Sequence, residues 1–139
     1  MKNLLVSLLF LPFAVQAEWL QISDAWVRAA PPNARVMVAY ATVKNVSQDS
    51  IWISGASSDA FDSVELHETI EENGMASMVH LPYIKLDAGE TVHFKPGGKH
   101  MMLFGPKKFS QPGETIHFSL LLGNGDEEKF DAVVARDQP

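Results

Sequence analysis

Thr115-Ile116-His117-Phe118-Ser119-Leu120-Leu121-Leu122 sets apolar residues at every second position: Ile116, Phe118, Leu120 and Leu122. His117 and Ser119 fall between them. Successive side chains of a strand point to opposite faces, so this octet reads as a strand with one buried face and one wetter face. Gln111-Pro112-Gly113 precedes it and Gly123-Asn124-Gly125-Asp126 follows it, and both are turn-forming runs. The same rhythm recurs outward from this segment. Strands are expected over residues 20–28, 36–44, 50–57, 61–67, 75–80, 91–95, 100–104, 115–122 and 129–136. Pro31-Pro32-Asn33, Glu72-Asn73-Gly74, Asp87-Ala88-Gly89 and Pro96-Gly97-Gly98 are among the turns that separate them. No amphipathic helical pattern competes, so an all-β antiparallel sandwich or barrel is expected.

The amino terminus reads as an address. Lys2 is followed by residues 4–15, almost wholly apolar and broken only by Ser7 and Pro12. Val15-Gln16-Ala17 then offers small residues at the positions a signal peptidase reads. The apolar run is too short for a membrane span, which needs about 20 residues. Residues 1–17 are therefore expected to be a secretory signal peptide, and residues 18–139 one mature domain. No later stretch is long and apolar enough to span a membrane.

The chain has 11 Lys and Arg against 17 Asp and Glu, a formal charge of −6, and losing Lys2 makes it more acidic still. It shows no basic stripe, so neither nucleic acid nor an anionic membrane surface is an expected partner. There is no cysteine. On that composition no disulfide, no lipid on an N-terminal cysteine and no thiolate metal ligand is expected.

Four residues carry donor chemistry in a convergent pattern: His67, Met78, His100 and Met102. Val64 and Leu66 are the expected inward residues of their strand, which turns Glu65 and His67 the other way. Met101 and Leu103 are assigned to the core, which leaves His100 and Met102 together on the opposite face. His67 and Met78 flank the turn at 71–74. A four-residue loop would pair Ile70 with Met75 and set His67 opposite Met78. A two-residue Asn73-Gly74 turn would instead pair His67 with His80, with Met78 still on that face. Thioether and imidazole donors suit soft transition metals, Cu(I) above all. Zinc prefers Cys, His or carboxylate, and a blue-copper centre needs a cysteine. Methionine also avoids disulfide formation in an oxidising compartment.

The spacing of His67, Met78, His100 and Met102 matches the signature of the periplasmic copper chaperone family PCu(A)C. Ala25-Trp26-Val27-Arg28, Pro31-Pro32-Asn33-Ala34 and Ala39-Tyr40-Ala41-Thr42-Val43-Lys44-Asn45 resemble that family's opening segments. Val64-Glu65-Leu66-His67-Glu68 resembles its first ligand strand, and the segment from Lys95 to Leu103 its second ligand hairpin. The resemblance spans nearly all of the mature chain. It implies a cupredoxin-like antiparallel Greek-key β-sandwich with one Cu(I) held by His67, Met78, His100 and Met102. It also implies delivery towards the CuA centre of cytochrome c oxidase subunit II, directly or through a Sco-type protein. A periplasmic monomer is expected, without the His- and Met-rich tail that some members carry.

Other residues rank below these four. Met75 lies near the turn, and His80 and His93 share a face with the candidates in some registers. His117 reads as solvated. Trp19, Trp26 and Trp52 read as core or strand-face residues. Two other functions remain open: copper storage without a dedicated recipient, and a β-sandwich interaction module without metal. An enzyme is not expected, since no nucleophile–base motif is visible and thiol chemistry is excluded.

Overall fold

Alternating apolar residues and frequent turns produce ten strands and no helix among residues 18–139, the part of the chain that the computed structural model describes. The expected signal segment, 1–17, lies outside the described residues. The strands are β1 Leu20–Arg28, β2 Val36–Asn45, β3 Ile51–Ser57, β4 Phe61–Glu72, β5 Met75–His80, β6 Ile84–Leu86, β7 Thr91–Phe94, β8 Lys99–Pro106, β9 Thr115–Leu122 and β10 Glu127–Ala135.

Pairing runs β4-β8-β2-β1-β10-β9-β3, and a single pair between Ala56 of β3 and Val64 of β4 closes the ring. The result is a barrel-like, cupredoxin-like sandwich. Most pairs are antiparallel. β1 and β10 run parallel through Trp26–Val133, Val27–Val134 and Arg28–Ala135. β7 lies against β2, β6 extends the sheet beyond β3, and β5 extends it beyond β4.

One apolar core fills the interior. Ile116, Phe118, Leu120 and Leu122 of β9 are all buried in it, as their alternation predicts. Val64 and Leu66 of β4 and Met101 and Leu103 of β8 are buried there too. Alternation therefore turns Glu65, His67, His100 and Met102 to the outer face.

Beyond small shifts of strand ends, β6 and β4 depart from the expectation, and the hairpin takes one of the two expected registers. β6 is an added strand, only three residues long, pairing Ile84 with Ile53 and Leu86 with Ile51. β4 continues five residues past His67, so that β4 and β5 form a long hairpin. Every residue of β5 is exposed. At the tip, Asn73 and Gly74 take φ of 52° and 75°, and Glu72 pairs with Met75. Positive φ at both central positions is the two-residue turn that Asn-Gly favours, because its twist matches the flanking strands. The four-residue loop is not formed.

Candidate metal centre

The hairpin register decides which side chains meet. β4 pairs His67 with His80 of β5 on one side and with His100 of β8 on the other. Three imidazoles therefore stand in one row across three strands. The His67 ring centroid is 5.5 Å from that of His80 and 6.0 Å from that of His100. The Phe104 ring centroid is 6.5 Å from that of His67. One step along β8, Met102 is opposite Glu65 and beside Val38 of β2. Met78 is opposite Thr69, one step beyond His67 in the other direction, and is 61% exposed.

His67, His100 and Met102 are thus brought together on one outer face. Met78 shares that face but stands off on the edge strand, and His80 holds the place directly across from His67. Met75 pairs with Glu72, so it is on the other face of the hairpin. His93 is on β7 opposite Thr42, whose hydroxyl lies 3.4 Å from its Nδ1, and takes no part in the row. His117 is exposed beside Asp131, as expected.

The two central histidines are oriented by hydrogen bonds. His100 is 4% exposed, and its Nδ1 lies 3.0 Å from the Gly98 carbonyl oxygen. A carbonyl only accepts, so Nδ1 carries a proton, and in the neutral ring Nε2 keeps the lone pair. His67 Nε2 lies 2.8 Å from a Glu65 carboxylate oxygen. The remaining ring nitrogens, His67 Nδ1 and His100 Nε2, are buried with no hydrogen-bond partner among the described residues. Buried polar atoms are nearly always paired, so two bare nitrogens on rings whose centroids are 6.0 Å apart call for a ligand. Among the described residues no three His, Asp or Glu side chains gather closely enough to hold an ion. The same face also offers the thioethers of Met102 and Met78.

The tryptophans divide. Trp26 is buried but lies outside the main core, against Tyr40 at 4.9 Å with the Arg28 guanidinium over both rings. Burial pushes the Tyr40 hydroxyl above its ordinary value, and Arg28 offsets part of that rise. Trp19 packs partly against the core. Trp52 is half exposed, edge-on to Tyr83 at 4.9 Å with Lys85 beside it.

The family model described as "Putative lipoprotein LpqE-like" matches residues 20–134. A Leifsonia xyli protein named "Putative lipoprotein Lxx21020" is 37% identical over 123 residues, 88% of this chain and 72% of its own length. The solution structure of apo-DR1885 from Deinococcus radiodurans is 30% identical, with a TM-score of 0.68, covering 99% of this chain and 95% of that one. The copper-bound PCuAC domain of PmoF2 shares the fold at a TM-score of 0.72 and 23% identity, covering 88% of this chain and 97% of that one. Among the described residues no helix is long and apolar enough to cross a membrane.

Proposed function

Since the chain belongs to the LpqE-like family and folds as PCuAC domains do, we propose that it carries one Cu(I) ion as cargo, held by His67, Met78, His100 and Met102, and hands it to an acceptor protein. The observation that carries this reading is the pair of buried, unpartnered nitrogens, His67 Nδ1 and His100 Nε2, beside Met102. Two neutral imidazoles and two thioethers form a donor set suited to Cu(I). DR1885 of Deinococcus radiodurans, 33% identical in its CuI form, supports the same choice of ion.

The placement of Met78 suits transfer better than storage. Its unbranched side chain has three rotatable bonds and stands exposed at the sheet edge. It can swing over the histidine row to close the site, and it is the first ligand that an acceptor would displace. No thiolate holds the ion back, so a cysteine pair on an acceptor offers softer, charged ligands and draws the equilibrium towards itself. The CuA centre of cytochrome c oxidase subunit II, or a Sco-type protein, has the required chemistry. Residues 1–17 serve as the signal that exports the domain at 18–139 to the periplasm, where methionine ligands escape oxidation to a disulfide. The role is binding and transfer, without catalysis.

The test mixes the Cu(I)-loaded protein with an apo dithiol acceptor in the presence of a competing Cu(I) chelator. Direct handover gives a rate that rises with acceptor concentration and is insensitive to chelator. A rate that saturates at the spontaneous release rate would make the protein a copper store.

A further inference from the structure

Glu65 belongs to the same outer face as the candidate ligands, two residues before His67 and opposite Met102. One carboxylate oxygen lies 2.8 Å from His67 Nε2. An ionised carboxylate has no proton to give, so Nε2 must be the donor in this bond. In a neutral imidazole the other nitrogen then carries the lone pair. That nitrogen, Nδ1, is the buried one without a partner.

We propose that Glu65 is the positioning residue of the copper site: it holds the His67 proton on Nε2 and so presents Nδ1 to the metal. This rests on the reading of His67 as a ligand. Its consequence is a mixed site. His100 is fixed in the opposite tautomer by the Gly98 carbonyl and presents Nε2. The two histidines therefore offer different ring nitrogens, each chosen by the hydrogen bond that the other nitrogen makes.

A surface contact without function is the competing explanation, and a second His–carboxylate contact in the molecule allows comparison. His117 pairs with Asp131 on an open face, where the side chains are 83% and 63% exposed. Its second nitrogen is not among the buried unpartnered atoms. At His67 the side chain is only 14% exposed, and the second nitrogen is shut away from water. A tautomer fixed there has a lone pair that only a ligand can use. Glu65 itself is 43% exposed on its side chain, so its replacement leaves no buried gap.

Nitrogen-15 NMR of the metal-free protein reads the tautomers directly. The expected result is His67 protonated on Nε2 and His100 protonated on Nδ1. Glu65→Ala should leave the fold intact, allow His67 to populate both tautomers, and weaken Cu(I) binding about 10–100-fold, the usual cost of losing such a partner. Glu65→Gln keeps an accepting oxygen, so it should retain the wild-type His67 tautomer and recover most of the affinity. A His67 protonated on Nδ1 in the wild type would overturn the proposal. So would a Glu65→Ala protein with unchanged tautomer and unchanged affinity. If the wild type bound no Cu(I), the copper reading would fail, and the metal-free spectra would still decide whether Glu65 sets the tautomer.

Discussion

Met101 and Met102 are chain neighbours on opposite faces of β8, and exchanging each for alanine separates packing from copper binding. Met101 is fully buried, paired with Leu66 on one side and Ala39 on the other. Met101→Ala deletes three heavy side-chain atoms. At about 0.8 kcal/mol for each methylene equivalent, the lost transfer term is about 2.4 kcal/mol. A residual cavity of about 60 Å³ at 24 cal/mol per Å³ adds about 1.4 kcal/mol. The total, near 4 kcal/mol, should lower the melting temperature by on the order of 10 °C. Met102 is only half buried and projects from the outer face. Met102→Ala should cost under about 1 kcal/mol of stability. As a ligand, its loss should weaken Cu(I) binding at least tenfold, about 1.4 kcal/mol. Thermal unfolding of the metal-free proteins and anaerobic competition with a chromophoric Cu(I) chelator measure the two effects separately. Crossed effects, with Met102→Ala unfolding the protein or Met101→Ala selectively losing copper, would reverse the assignment of the two faces.

Met78→Ala should weaken Cu(I) binding and leave the melting temperature within about 2 °C of wild type, because β5 is exposed throughout; a large drop in stability would mean the residue packs. Asn45→Ala should cost about 2–3 kcal/mol, read as a lower urea midpoint at unchanged m value. The Asn45 amide is fully buried, donates to the carbonyls of Asp49, Leu86 and Asp87, and accepts from Ser47. Asp87 is held below its ordinary value of 3.8 by the Ser50 hydroxyl and Lys85. The stability it confers is complete above that value and is lost as pH falls through the lowered one. Asp87→Asn should therefore be slightly destabilising at neutral pH and indistinguishable in strong acid; a deficit that persists in acid would point away from the charge.

Much of the fold was legible because its strands are half buried. Residues 115–122 have the bounds expected from alternation and flanking turns, whereas 75–80, exposed throughout, are bounded by the Asn73-Gly74 turn rather than by a buried face. β6 gives no sequence signal because three residues between Pro82 and the Asp87-Ala88-Gly89 turn are too few to display a period. The end of β4 gives no sequence signal because Glu68-Thr69-Ile70-Glu71-Glu72 lacks a clear apolar face. It is held as strand by β5 alone beyond Thr69. At the site, parity placed His67, His100 and Met102 on one face, and the structure agrees. The tie between the two hairpin registers needed the Asn73-Gly74 backbone to break it. That register puts His80, rather than Met78, directly across from His67. Glu65 carried a usable signal, two residues before a candidate ligand on the same face. Its hydrogen bond to Nε2 needs side-chain coordinates.

The central claim is that this face holds one Cu(I) through imidazole and thioether together. Anaerobic Cu(I) titration of the protein, followed by X-ray absorption on the loaded product, tests it most directly. Saturation at one equivalent is expected, with a first shell containing both nitrogen and sulfur scatterers. A shell of nitrogen and oxygen alone, or no stoichiometric binding, would contradict it.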